Sequence, residues 1–139
     1  MINLKKSIKV VGAIIFNEQE EVLCALRSKD MSLPNYWEFP GGKVEPNELL
    51  EEAIVREIKE ELNCTIKPLQ IFNDTIYEYE KVIVNLITIC AQLIDGTPTA
   101  TEHDELRWVP KAKLNELNWA PADIPAVKQL MKQQKSLAN

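Results

Sequence analysis

Three glutamates and one arginine fall within the six residues from Arg56 to Glu61. A helix turns about 100° per residue, so Glu57, Glu60 and Glu61 would lie within about a third of a turn of one another. Like charges on adjoining turns repel one another by roughly a few tenths of a kcal/mol each, and a bound cation relieves that cost. Carboxylate oxygens suit Mg²⁺ or Mn²⁺. The residues alone leave two interpretations open, a metal site and a solvated acidic face.

A predicted helix positions these carboxylates. We expect it to begin at Asn47, whose side-chain amide suits an N-cap, and to end near Leu62, with Asn63 as a left-handed C-cap. Gly41 and Gly42 precede it as a tight turn whose backbone can approach a ligand or metal closely. Apolar residues at every fourth position predict the face that packs on a sheet, namely Leu50, Ile54, Ile58 and Leu62.

The rest of the chain predicts strands and a second helix. Apolar runs rich in β-branched residues predict strands at 8–16, 21–27, 65–79, 82–93 and 106–109. A final helix is expected from about Asp123 to Lys135. Its predicted buried face consists of Ile124, Val127, Leu130 and Met131. This order of elements predicts an α/β fold in which a mixed β-sheet is sandwiched between helices.

The composition bounds the classes of function. A chain of 139 residues that is 45% hydrophobic fits a single domain, 1–139, with a core of its own. Sixteen basic and 21 acidic residues give a net charge of −5, which argues against binding polymeric nucleic acid through a broad basic surface. A polyanionic substrate would therefore need a metal ion to offset its charge.

The cysteines and the N-terminal segment predict a cytoplasmic protein. Cys24, Cys64 and Cys90 are odd in number, widely spaced and set in apolar runs, which favours reduced core thiols over a disulfide or a zinc site. The apolar run 10–16 is too short for a membrane span or a signal peptide. We therefore expect no membrane association.

The spacing of residues 42–64 follows a known pattern. Its fixed positions are Gly42, Glu48, Arg56, Glu57, Ile58, Glu60 and Glu61. They resemble the Nudix box, G-x5-E-x7-R-E-U-x-E-E-x-G-U, in which U is apolar. Asn63 stands where the box has its late glycine, and asparagine tolerates the same left-handed backbone. Cys64 is a weaker substitute for the final aliphatic residue.

Three stretches outside the box extend this resemblance, at 37–46, 102–108 and 120–125. They are similar to MutT-type Nudix hydrolases, and within these to the group of CTP pyrophosphohydrolases and 8-oxo-dGTP diphosphatases. The resemblance implies a Mg²⁺-dependent or Mn²⁺-dependent enzyme that hydrolyses a nucleoside triphosphate to monophosphate and pyrophosphate. It also implies a role in nucleotide-pool sanitation and DNA repair, as a monomer or a homodimer.

The resemblance implies a role for each matching residue. The implied metal ligands are the Gly41 carbonyl, Glu57, Glu60, Glu61 and Glu102. Arg56 would orient a metal-binding carboxylate, one of the glutamates Glu57, Glu60 or Glu102 would act on the attacking water, and Glu48 would be structural. Without the family, Glu102 is an ordinary solvated loop residue. His103, a lone loop histidine, is expected to be exposed and idle.

Substrate contacts are implied for Arg27, Phe39 and Asp123. Asp123 would read the base edge, with an N-cap of the last helix as the alternative. Arg27 would contact phosphate, or be a surface arginine, and Phe39 would stack on a base, or belong to the core. Pyrimidine triphosphates, such as CTP or dCTP analogues, and 8-oxo-dGTP are the implied substrates. The alternatives are hydrolysis of ADP-ribose or a nucleotide sugar, and a module that senses a nucleotide without cleaving it.

Overall fold

The structure, a computed structural model, describes residues 5–137, with side chains to residue 133. The ends of the predicted domain, 1–4 and 138–139, lie outside the described residues. The strands are β1 Lys6–Phe16, β2 Glu21–Leu26, β3 Trp37–Glu38, β4 Gly41–Lys43, β5 Thr65–Glu78, β6 Val82–Asp95 and β7 Glu105–Pro110. The helices are α1 Leu50–Leu62 and α2 Ile124–Leu137, and short 3-10 turns span Lys111–Glu116 and Pro121–Asp123.

Strand β1 organises the sheet. One of its edges pairs in parallel with β6 along its whole length, from Lys6 opposite Val82 to Phe16 opposite Gln92. Its other edge pairs with β4 in its middle and with β2 at its end. Strand β5 extends the sheet antiparallel to β6, while β2 also pairs with β3 and β7. Parallel and antiparallel pairings in one sheet make it mixed, as the sequence predicts.

Each face of the sheet carries one helix. Because successive strand residues point to opposite faces, Val11, Ala13 and Ile15 pack against α1. Ile14, between them, belongs to a second core that includes Val127 and Leu130 of α2. The first core also contains Ile54, Ile58 and Leu62, which confirms the buried stripe predicted for α1. The prediction of a mixed sheet sandwiched between helices is therefore confirmed.

Three local predictions are wrong. Helix α1 begins at Leu50, because Asn47 lies in the preceding turn with φ 66°, and Glu52 accepts from the Leu49 N–H at 2.9 Å. Gly41 and Gly42 form strand β4 against β1 rather than a tight turn. Ile124, assigned to the buried face of the last helix, is 36% exposed at its first turn.

The remaining local predictions agree with the structure. Asn63 ends α1 in the left-handed conformation with φ 53°, and its N–H donates to the Lys59 carbonyl. Cys24, Cys64 and Cys90 are buried free thiols, and burial is the main cause that raises the pKa of each. Neither α1 nor α2, over the part of the chain that is described, is long and apolar enough to cross a membrane.

Candidate active site

Strand β4 lies against both β1 and α1, and its glycines make this approach possible. A Cβ on Gly41 would overlap the Val11 carbonyl, and a Cβ on Gly42 would overlap the carboxylate of Glu57. The Gly41 N–H donates to Glu61 at 3.1 Å. The two glycines, in a strand rather than the predicted turn, therefore bring backbone directly onto the acidic face of α1.

Gly42→Ala tests this approach. We expect kcat for the hydrolysis that the sequence resemblance implies to fall at least about tenfold and the free energy of unfolding to fall by roughly 1–3 kcal/mol, because the new methyl group displaces the Glu57 carboxylate. Steady-state kinetics and urea unfolding measure the two effects. Gly12→Ala is the matched control, since its Cβ would meet Phe39 Cβ at an ordinary 3.4 Å. Equal losses in both variants would contradict the specific role of Gly42.

Arg56 connects the carboxylates of this region. Its guanidinium donates twice to Glu48, at 2.7 and 2.9 Å, and to the Lys43 carbonyl at 3.0 Å. Weaker contacts reach Glu57 at 3.2 Å and Glu60 at 3.4 Å. The Arg56 hydrogen bond is the main cause that lowers the pKa of Glu48, to about 2. Glu48 thus anchors Arg56, and Arg56 in turn can orient the two carboxylates next to it.

Glu57 and Glu61 are carboxylates in an environment that disfavours their charge. Burial raises the pKa of Glu61 to about 8, against an opposing effect of nearby His103 and with further raising by Glu38 and Glu57. Burial also raises the pKa of Glu57, against the lowering effect of Arg56. Both carboxyl groups therefore lose their protons less readily than exposed ones do. A divalent cation nearby would favour their charged form.

The donors fit a hard divalent cation by their chemistry. Glu57 and Glu61 flank the β4 backbone, and Glu60, whose side chain is 60% exposed, lies on the outer side of Arg56. Glu102 is exposed on a loop that Thr101 fastens to α1 by donating to the Glu61 carbonyl at 2.7 Å. In residues 5–133, no three His, Cys, Asp or Glu side chains already stand close enough together to enclose a metal. Oxygen donors alone suit Mg²⁺ or Mn²⁺.

A cavity of about 530 Å³ opens beside this cluster. Apolar side chains of β1 and β6 form its wall, among them Ile8, Val10, Val84 and Leu86. Gly41, Gly42 and Glu61 line one part of it, and Tyr79, Ala122 and Asp123 line another. An apolar wall with polar groups at separate points is typical of a site for a small organic ligand.

Arg27 belongs to a buried network that the sequence did not predict. Its guanidinium, 17% exposed, pairs with Glu38 at 2.6 Å and donates to the Ser32 hydroxyl at 2.9 Å. Glu38 also contacts His103 Nε2 at 2.8 Å. Arg27 and Glu38 both line the cavity, and the guanidinium, although paired with Glu38 and Ser32, brings a positive charge to its border. The alternative that Arg27 is a surface arginine is therefore wrong, because its side chain is only 17% exposed.

His103 is buried, contrary to the expectation of an exposed and idle side chain. Its side chain is 0% exposed, and its Nδ1 is without a hydrogen-bond partner in the described part of the chain. Burial is the largest single effect on the pKa of His103 and lowers it. The hydrogen bond and the charge of Glu38 act against burial, and the net result is a raised pKa. The sequence signal for this contact is a charged residue, Glu38, between two aromatic ones, Trp37 and Phe39.

Asp123 is 5% exposed and lies at the end of the 3-10 turn before α2. Its carboxylate accepts from the Phe39 N–H at 3.2 Å, and within residues 5–133 no amide of α2 donates to it. It therefore does not serve as the N-cap. Burial, with Glu38 nearby, raises the pKa of Asp123 well above its usual range. Phe39 is buried and packs on Trp119 with ring centroids 4.8 Å apart, although it also borders the cavity.

Asp123→Asn is expected to stabilise the protein at neutral and alkaline pH, by about 5 °C in melting temperature at pH 8. Asparagine retains the acceptor for the Phe39 N–H and has no charge to bury. Since folding raises the pKa of Asp123, its contribution to stability is complete below about pH 4, the pKa of an unfolded aspartate, and is lost as pH rises. Thermal melts from pH 4 to 8 measure the difference, and a pH-independent difference would contradict this account.

Comparison with known proteins gives a family match. The family model described as NUDIX domain matches residues 6–130. The chain is 31% identical over 125 residues to an Escherichia coli protein named 8-oxo-dGTP diphosphatase, covering 90% of this chain and 97% of that protein. It is 35% identical over 126 residues to the Escherichia coli CTP pyrophosphohydrolase, covering 91% and 93%.

A solved structure supports the same relationship. The solution structure of the DNA mismatch repair protein MutT, family Nudix hydrolase, from methicillin-resistant Staphylococcus aureus 252 is 49% identical to this chain. The match covers 94% of this chain and 99% of that protein, with a TM-score of 0.76. The similarity therefore extends over nearly all of both chains and includes the candidate site.

Proposed function

This chain belongs to the Nudix hydrolase family, and on that premise we propose that it is a Mg²⁺-dependent nucleoside triphosphate pyrophosphohydrolase. It converts a nucleoside triphosphate and water to a monophosphate and pyrophosphate. Mn²⁺ is a possible substitute for Mg²⁺ because both ions prefer oxygen ligands. The products, a nucleotide and pyrophosphate, fit a role in removing unwanted nucleotides from the pool and so in DNA repair.

One observation carries this proposal, namely that the carboxylate cluster and the apolar cavity are continuous. Gly41, Gly42 and Glu61 line the cavity that also contains Asp123. A nucleotide whose base enters between the apolar side chains can therefore place its phosphates beside Glu57, Glu60 and Glu61. Arg27, which borders the same cavity, supplies a positive charge for a phosphate.

The proposed ligands of the metal are the Gly41 carbonyl, Glu57, Glu60, Glu61 and Glu102. When bound, a divalent cation would neutralise phosphate charge and lower the pKa of a water molecule. Arg56 keeps Glu57 and Glu60 in place, and one of Glu57, Glu60 and Glu102 accepts a proton from the attacking water. Attack of water at the β-phosphorus forms a new P–O bond in pyrophosphate. It breaks the bond from the β-phosphorus to the oxygen that bridges the α- and β-phosphates, and this oxygen leaves with the monophosphate.

The identity of the base is a separate part of the proposal. The names of the Escherichia coli relatives support two candidates, cytosine nucleotides such as CTP or a dCTP analogue, and 8-oxo-dGTP. Asp123 would contact the base edge, and Phe39, which is buried against Trp119, borders the cavity and holds Asp123 through its N–H. We propose that the enzyme acts on free nucleotides in the cytoplasm, as a monomer or a homodimer, and not on polymeric nucleic acid. Its free buried cysteines and its net charge of −5 support this.

A nucleotide panel tests the proposed function. Purified protein with Mg²⁺ is given CTP, dCTP, 5-substituted dCTP, dGTP, 8-oxo-dGTP, ADP-ribose and a nucleotide sugar, and the products are separated by ion-exchange chromatography. We expect pyrophosphate and a monophosphate from at least one triphosphate, with activity lost on adding EDTA. Cleavage confined to ADP-ribose or the nucleotide sugar would assign the second substrate class instead. Tight binding without turnover would identify a sensing module.

A further inference from the structure

Tyr79 places a phenol at the Asp123 end of the cavity. It follows the last residue of β5, Glu78, and its backbone N–H donates to the Val82 carbonyl at 2.8 Å in the turn into β6. Its hydroxyl accepts from the N–H of Ala122 at 3.0 Å, and both residues line the cavity. Ala122 directly precedes Asp123 in the 3-10 turn, and after burial the Asp123 carboxyl is among the groups that raise the pKa of Tyr79.

The hydroxyl has one hydrogen bond left to make. In its contact with Ala122 the phenolic oxygen accepts, so its own proton is still available to a partner. No group among residues 5–133 accepts that proton. Burial raises the pKa of Tyr79, so the hydroxyl remains a donor at neutral pH. Tyr79 is half-buried, and a ligand that covers its hydroxyl without offering an acceptor would leave this donor unpaired, which disfavours such a ligand.

We infer that the Tyr79 hydroxyl is a specificity-determining group that donates to a carbonyl oxygen on the base of the substrate nucleotide. This inference rests on the proposed function and adds a second polar contact to that of Asp123. A carbonyl oxygen projects from the ring edge and offers two lone pairs, so it can reach a hydroxyl that is fixed in the wall. The apolar side chains of β1 and β6 discriminate little between flat bases, so selection depends on the polar groups of the lining, which include Tyr79 and Asp123.

Tyr79→Phe removes the donor and retains the ring. We expect kcat/KM for the best carbonyl-bearing nucleotide among dCTP, dGTP and 8-oxo-dGTP to fall about five- to tenfold. For the triphosphate of 2-aminopurine deoxyriboside, whose base has no carbonyl, kcat/KM is expected to change less than about twofold. Most of the loss is expected in KM, because the contact is remote from the reacting phosphorus.

Tyr77→Phe is the matched control. Tyr77 is 38% exposed, and its ring centroid lies 4.7 Å from that of Tyr79. Tyr77 does not line the cavity, so this variant loses the same hydroxyl at a position outside it. It should leave all four rates unchanged. Equal losses for every nucleotide in Tyr79→Phe, including the 2-aminopurine compound, would show a structural role and overturn the inference.

Two further readouts keep the test decisive. Melting temperatures of both variants show whether Tyr79→Phe is folded at the assay temperature. If it is not, the wild-type enzyme provides the test, because its kcat/KM for the best carbonyl-bearing nucleotide should exceed that for the 2-aminopurine compound at least about fivefold, and equal values would overturn the inference. A wild-type protein that cleaves none of the triphosphates would instead overturn the proposed function itself.

Discussion

Glu60→Gln is expected to lower kcat about 10²- to 10³-fold while the protein remains folded. Gln keeps the size of the side chain and removes the negative charge proposed to bind the metal. The side chain is 60% exposed, and it pairs with Arg56 at 3.4 Å at the surface end of the network. Exposed ion pairs of this kind contribute about 0–1 kcal/mol, so the free energy of unfolding should change little.

The measurement is kcat as a function of Mg²⁺ concentration, together with urea unfolding. If Glu60 binds the metal, the variant also requires more Mg²⁺ for half-maximal rate than the wild type does. Glu51→Gln is the matched control, because Glu51 is exposed in the first turn of the same helix and outside the cluster. Wild-type kcat at every Mg²⁺ concentration in Glu60→Gln would remove Glu60 from the proposed ligands.

The part of this site that could be predicted from sequence lies on one helix. Glu57, Glu60 and Glu61 share a face because helical geometry fixes their relative positions, and Asn63 ends the helix because asparagine tolerates a positive φ. The predicted start of the helix is wrong for a local reason as well. Asn47 has the side chain of an N-cap, yet the same tolerance of positive φ puts it in the turn before the helix.

The rest of the site depends on contacts between distant residues. Glu38 and His103 are 65 positions apart, and Tyr79 and Ala122 are 43 positions apart. These pairs meet because β2 binds both β3 and β7, and because the 3-10 turn packs against the β5 and β6 strands. Helical or strand periodicity carries no information about such pairings, so a buried histidine in a polar loop could not be predicted from its neighbours.

Arg56→Ala is expected to reduce both activity and stability. Without the guanidinium, Glu48 loses two hydrogen bonds, the Lys43 carbonyl loses one, and Glu57 and Glu60 lose the group that orients them. We expect kcat to fall about 100-fold, as for the loss of residues that orient metal ligands, and the melting temperature to fall by about 5 °C at pH 7. Steady-state kinetics and thermal melts measure the two effects.

The pH dependence of stability tests whether Glu48 is the partner through which Arg56 stabilises the fold. Arg56 lowers the pKa of Glu48 to about 2, so the pair stabilises the folded protein fully above about pH 4.3, the pKa of an unfolded glutamate, and less as pH falls towards 2. The difference in melting temperature between wild type and Arg56→Ala should therefore narrow over that interval. Arg107→Ala is the control, because its guanidinium is about half exposed and pairs with Glu105 on the same strand.

Arg56→Lys, which keeps the charge but cannot bind Glu48 through two nitrogens, should give an intermediate kcat. A wild-type kcat in Arg56→Ala would show that the carboxylates of α1 hold their positions without it.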